Sequence, residues 1–160
     1  MSLTGKQTFY IGFPMTKRKQ GIKDFEIFNL YKYFIWADRM KRACDDLLDR
    51  SFQEVIPRSE MEIEYNLYLS YWFSSLYVVI EGWKQMGLSD KKIGALLDPK
   101  NVNLLRRYRN GVFHFQKDYF DERFLNFLRD GVSRIEWVRN LHHEFGRFFT
   151  EWYESRSRVF

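Results

Sequence analysis

The chain has 160 residues and a formal net charge of +5, which fits one domain with an anionic partner without naming that partner. Hydrophobic residues make up 45% and aromatics 19%, enough to fill a packed core, so a chain disordered beyond its ends is excluded. The single cysteine, Cys44, excludes an internal disulfide framework and a multi-cysteine zinc site within one chain, and a reducing cytoplasm is the simplest setting. The longest apolar run, residues 67–80, contains Ser70, Ser74 and Ser75. It is shorter than the roughly 20 residues a membrane span needs, so no membrane partner is expected. Near the N-terminus, Pro14 and the run Lys17-Arg18-Lys19 interrupt the apolar residues, and no signal peptide is read there.

Residues 1–21 read as an N-terminal arm and residues 22–160 as a single helical domain. The first helix is expected over residues 24–49, capped by Asp24, with Ile27, Leu30, Phe34, Ala37, Cys44 and Leu48 at helical spacing. The stripe thins at Met40 and Lys41. A second helix follows Pro57, where Ser59-Glu60-Met61-Glu62 reads as a capping box. Its apolar stripe is Leu69, Trp72, Phe73, Leu76, Val79, Ile80 and Trp83, and Gly87 ends it. A short helix over residues 89–97 turns Ile93, Leu96 and Leu97 inward. Asp98 and Pro99 then cap a helix expected to reach Phe115. After a loop over residues 116–121, a last long helix over 122–154 is expected to bury Leu125, Leu128, Val132, Ile135, Val138, Leu141, Phe145, Phe148 and Trp152, with bends at Gly131 and Gly146. No period-2 stretch of any length competes. Four long helices and one short one give an all-α bundle.

The most informative residues are Arg109-Asn110-Gly111-Val112-Phe113-His114. No acidic residue lies between Asp98 and Asp118, whereas Lys100, Arg106, Arg107, Arg109 and Lys117 do. Such a segment suits a phosphate, and an imidazole adds proton chemistry near neutral pH. At about 100° per residue, Leu105, Tyr108, Val112 and Phe115 form the core side, and Arg107, Asn110 and His114 share a row roughly opposite. By the same arithmetic Arg109 lies about 140° from His114, so a regular helix keeps them apart within one chain. Either Gly111 loosens the turn, or a two-fold dimer brings Arg109 of one protomer to His114 of the other. A capping role is the structural alternative, since cations near a helix C-terminus are favoured by its dipole.

The segment from Arg109 to His114 resembles the signature of the HEPN superfamily: an arginine, a polar residue such as Asn110, and a histidine separated from the arginine by four to six residues, here the minimum of four. The placement agrees as well, towards the end of a helix in an α-bundle, before a loop and a last long helix. Two positions after the histidine, where many active members carry a tyrosine, this chain has Gln116, and Tyr119 is the nearest candidate. Gly111 is smaller than the residue usual at its place. The resemblance implies a metal-independent endoribonuclease without a cofactor, often a toxin or defence factor, acting on RNA as a homodimer with a shared cleft and in some cases held by an antitoxin or other protein partner. It implies Arg109, Asn110 and His114 as catalytic residues. Arg106, Arg107, Lys100, Lys117 and Tyr119 would bind RNA or its phosphates.

Two other functions compete. Residues 87–97 resemble the first helix of a helix-turn-helix, with Arg106, Arg107 and Arg109 on a DNA-reading helix. A catalytically inactive helical dimer that binds a protein or nucleotide is the other. His142-His143-Glu144 invites a metal reading, but adjacent histidines diverge by about 100° on a helix, and they are expected at the surface. Cys44 is expected to pack in the core.

Overall fold

The structure, a computed structural model, describes residues 19–53 and 57–157. Two long helices, α1 (Lys19–Gln53) and α2 (Arg58–Gln85), form an antiparallel hairpin and the largest helix–helix interface. Its direction is visible at both ends: Arg50 faces Glu64 at 4.0 Å, and Leu30 lies on Gly82, where an added Cβ would sit 2.6 Å from Leu30 Cδ1. The remaining helices are α3 (Lys91–Leu96), α4 (Pro99–Phe113), α5 (Glu122–Leu128) and α6 (Gly131–Ser157). α4 packs on α2, α5 on α4, and α6 on both α3 and α1. No strand occurs among the described residues, so the all-α bundle read from periodicity is the fold. None of the described helices is long and apolar enough to cross a membrane.

α2 carries the core. All seven residues of its expected stripe are buried, and Trp72, Phe73, Leu76, Val79 and Ile80 are completely so. Gly87 ends the helix at φ 61°. Its N–H donates to the Lys84 carbonyl and the Leu88 N–H to the Trp83 carbonyl, the paired bonds of a Schellman stop. The Asp98 and Pro99 start of α4 forms as the sequence implies, with Asp98 accepting from the Asn101 N–H at 2.9 Å.

Several boundaries differ from expectation. α1 begins at Lys19, inside the expected arm; residues 1–18 lie outside the described residues, as do 158–160. The capping box at Ser59–Glu62 does not form: the helix starts two residues earlier, Pro57 occupies the N-cap without a side-chain bond, and Arg58 pairs with Glu62. The short helix expected over residues 89–97 runs only from Lys91 to Leu96, capped by Asp90. On α1, Leu47 replaces Leu48 in the core.

The expected last helix is two helices, which gives two short elements, α3 and α5, in place of one. Gly131 adopts φ 45° and breaks the run. The break changes the helical phase, so Leu125, Leu128 and Val132 are exposed while Phe127 is buried. Beyond Gly131, Val138, Leu141 and Phe145 are buried as expected, and Phe149 joins them. Ile135, Phe148 and Trp152 pack at the margin of the core.

The thinning of the α1 stripe at Met40 and Lys41 has a physical cause. A polar seam crosses the bundle there. Trp72 Nε1 donates to His142 Nδ1 at 3.1 Å, which places the His142 proton on Nε2, 3.3 Å from Asp38 Oδ1. Asp45 accepts from Lys41 and from Arg139, both at 2.6 Å. His142 is therefore buried, 4% exposed, and the expectation of a surface residue is corrected; His143 alone is exposed. Cys44 is buried as expected, and burial, reinforced by Asp45, pushes its thiol up to about 11.

Burial holds His142 down to about pKa 4, with Asp38 pulling the other way. As pH falls below roughly 6.5, the unfolded chain takes up a proton that the native ring accepts only near 4. The native state therefore loses stability across that window and keeps all of it above. The loss is on the order of 3 kcal/mol. Thermal denaturation should show the midpoint falling between pH 6.5 and 4 in the wild type. His142→Asn, which still accepts from Trp72, should flatten that slope. The residual loss below about pH 4 belongs to carboxylates held low by arginines, such as Asp45 and Asp90, against the opposing effect of their burial.

Candidate functional site

α4 is a cationic helix. It has no Asp or Glu, and it carries Lys100, Arg106, Arg107 and Arg109. Several arginines elsewhere are neutralised: Arg42 pairs with Asp38, Arg139 with Asp45, Arg156 with Asp24, and Arg147 with Asp90, Glu144 and Glu151. Among the described residues no carboxylate pairs with any of the three α4 arginines.

Arg109 is the most constrained of them. Its neighbour Tyr108 is 3% exposed, bonded to Ser70 at 3.0 Å and packed on Phe73 and Phe127. That anchor fixes the rotation of α4 and leaves Arg109 half-buried at its flank. Nη1 donates to Asn110 Oδ1 at 3.0 Å, the guanidinium lies 5.9 Å from the Phe113 ring centre, and the buried Nε has no acceptor. A half-buried guanidinium without a counter-charge favours an anion at the part of its fork that solvent reaches.

Tyr77 of α2 faces the same corner. Burial first, and Glu81 second, push its hydroxyl above the ordinary range, while Arg106 and Arg109 pull it back. Sequence reading passed over Tyr77 because it lies beside Leu76 on the core stripe. It also passed over Tyr71, which stands edge-on to Phe113 at 5.8 Å. Continuing the helical row from Ile63 and Leu67 to Tyr71 was the available signal.

His114 is not on the row with Arg107 and Asn110. α4 ends at Phe113, and His114 is its C-cap at φ −124°, ψ 130°. It is exposed. Its N–H donates to the Asn110 carbonyl at 3.1 Å, and its carbonyl accepts from the Gln116 side chain. No hydrogen bond joins its ring to a described residue. The assumption of a regular helix through Phe115 is thus corrected, and Phe115 is 92% exposed instead of facing the core.

Arg109, Asn110, Arg106 and Phe113 share one flank of α4, with Arg106 bonded to Asn103 at 2.9 Å. Arg107 is half-buried on another flank. Lys100 lies about 14 Å along the axis from Arg109 and outside this corner. Lys117 and Tyr119 are exposed in the following loop, which also carries Asp118 and Asp121. Gly111 has a packing reason: a Cβ there would lie 2.9 Å from Phe124 Cζ and 3.4 Å from Arg123 Cβ. The glycine lets α5 close on α4.

A groove of about 680 Å³ between α1 and α6 holds Lys41, Arg42, Arg139, His142 and Arg147. It contains no residue of the Arg109–His114 segment, and its arginines already have carboxylates. It is a satisfied structural seam. Among the described residues no group of three or more His, Cys, Asp or Glu is placed to hold a metal. No protein-family model matches the chain, and neither a curated protein nor a solved structure matches it.

Gly111→Val should force α5 away from α4 and destabilise the fold by about 1–3 kcal/mol, as overpacking does. Thermal or urea denaturation reads that loss directly, and an unchanged midpoint contradicts the close-approach account.

Proposed function

We propose that the chain is a HEPN-like endoribonuclease, cleaving RNA by attack of its own 2′-hydroxyl. One observation carries this reading: Arg109, half-buried with an unpaired Nε and no carboxylate, lies on an acid-free helix that ends at an exposed histidine. An anion with several oxygens matches the guanidinium fork better than a point charge would.

The chemistry follows from the substrate. The His114 imidazole takes the proton from the 2′-hydroxyl, and that oxygen attacks the adjacent phosphorus. Arg109 holds the non-bridging oxygens as negative charge gathers on them. The bond to the 5′ oxygen breaks, and that oxygen takes up a proton. The products are a 2′,3′-cyclic phosphate and a 5′-hydroxyl. The nucleophile is internal and both protein groups are side chains, so the scheme requires no metal. Asn110 holds the Arg109 fork through Nη1, and Arg106 and Arg107 guide the strand.

The same reading brings a homodimer, in which Arg109 of one protomer meets His114 of the other across a shared cleft. It also brings a cytoplasmic toxin or defence role, with an antitoxin or other protein as a further partner. A DNA-binding helix-turn-helix draws less support. α3 packs on α6 while α4 packs on α2, and Arg109 is half-buried instead of standing free on a reading face.

Purified protein incubated with mixed RNA in excess EDTA should generate cyclic-phosphate ends. His114→Ala should lower cleavage by at least about 100-fold with unchanged helicity and melting, since that side chain is exposed. Arg109→Ala should lower it by about 100- to 1,000-fold. Equal cleavage by wild type and His114→Ala ends the assignment.

A further inference from the structure

We propose that Tyr71 and Phe113 form a nucleobase subsite beside Arg109, which selects RNA whose bases are unpaired. The inference rests on the ribonuclease reading and deepens it. It starts from an aromatic pair that the core does not use. Phe113 is the last residue of α4, and Tyr71 continues the outward row Ile63, Leu67 of α2. The rings meet edge to face, 5.8 Å apart at 89°. Such a pair consumes one ring face, and Tyr71 and Phe113 remain 43% and 49% exposed.

The pair joins two helices, whereas the edge-to-face pair Tyr119–Phe120 lies between neighbours in the loop. Phe113 is fixed by the end of α4, by Tyr71 and by the Arg109 guanidinium 5.9 Å from its centre. Tyr71 sits on the most deeply packed helix, one residue before Trp72. Phe115, Tyr119 and Phe120 are 92%, 89% and 66% exposed, in a loop that carries Asp118 and Asp121. Carboxylates there oppose a phosphate backbone. At the Tyr71–Phe113 corner the charges on α4 are Arg106 and Arg109, neither in an ion pair, and the carboxylate Glu81 of α2 acts with them on Tyr77.

An apolar shelf bordered by unpaired cations matches one ligand chemistry well. A base stacked on the rings leaves its own phosphate within reach of Arg109, and the next phosphate runs towards Arg106. Base–aromatic stacking is sequence-tolerant because every base has a π-face. A base inside an A-form duplex is already stacked on both faces, and duplex RNA is met mostly through its shape, 2′-hydroxyls and phosphates. The shelf therefore discriminates by strandedness.

The test uses the full chain with His114→Ala, so that binding is read without cleavage. A fluorescent single-stranded RNA of mixed sequence and the corresponding duplex are titrated by anisotropy. The single strand should bind at least about tenfold more tightly. Adding Tyr71→Leu or Phe113→Leu should weaken single-strand binding by about 5- to 150-fold, leaving duplex binding and the salt dependence of binding unchanged. Arg106→Ala should instead reduce the salt dependence. Tyr71→Phe and Phe113→Trp keep an aromatic surface and should bind as the parent does, which separates stacking from loss of fold. Duplex bound as tightly as single strand, leucine variants that bind like the parent, or an aromatic replacement that binds as weakly as leucine each overturns the subsite. If the leucine variants bind normally while wild type still cleaves RNA through His114, only the subsite falls. If wild type neither binds nor cleaves RNA, the ribonuclease reading falls with it.

Discussion

The burial of α2 is the constraint on which the other elements depend. Trp72, Phe73, Leu76, Val79 and Ile80 are fully removed from water, and each side of the helix engages a different neighbour. Phe73 and Ser70 hold Tyr108, which sets the rotation of α4. Trp72 holds His142, which sets α6. Gly82 admits Leu30, which sets the approach of α1. Rotation of α4 is what decides the fate of Arg109. With Tyr108 pinned inward, the next residue is left half-buried at the flank of the helix.

Two populations of cation result from this arrangement. Those between α1 and α6 are matched by carboxylates on facing or neighbouring turns, as with Arg139 and Asp45 or Arg147 and Asp90. Their electrostatics are closed within the molecule. Those of α4 have only amide partners, Asn103 for Arg106 and Asn110 for Arg109. An amide oxygen orients a guanidinium without cancelling its charge. The helix thus keeps a field directed outward while its side chains are held in place, which is the combination that anion recognition requires. The α1–α6 groove offers about 680 Å³, and charge accounting points away from it.

Sequence made the fold legible wherever one periodicity extended over many turns. The α2 stripe, its glycine stop and the Asp98–Pro99 start of α4 could all be read because local chemistry decides them. Reading failed where a single residue interrupted the period. Gly131 resets the phase between α5 and α6, and extrapolating the stripe through it turned Val132 inward when it is 82% exposed. His142 failed for a different reason. Its burial depends on Trp72 and Asp38, which lie 70 and 104 residues away, and no local pattern carries that information. In the candidate site, the residue types and the absence of acids were visible in sequence. The half-burial of Arg109 and the aromatic corner at Tyr71 needed the packing of α2 on α4.

The short segment from Arg109 to His114 divides its work at the end of the helix. Arg109 and Asn110 lie within α4 and inherit its rigidity. Gly111 gives up its side chain so that Phe124 can approach, and this contact braces the last turn from behind. Phe113 closes the helix. His114 then leaves in an extended conformation with only its backbone bonded. The chain therefore fixes the charge and frees the imidazole. A group that stabilises charge works best when it does not reorganise. In the proposed reaction the imidazole has to come within hydrogen-bond reach of the 2′-hydroxyl, and an exposed side chain beyond the helix end has room to do so. Placing the boundary of the helix between the two residues supplies both properties from six consecutive positions. It also explains why the glycine, out of place as a helix former, belongs there as a spacer.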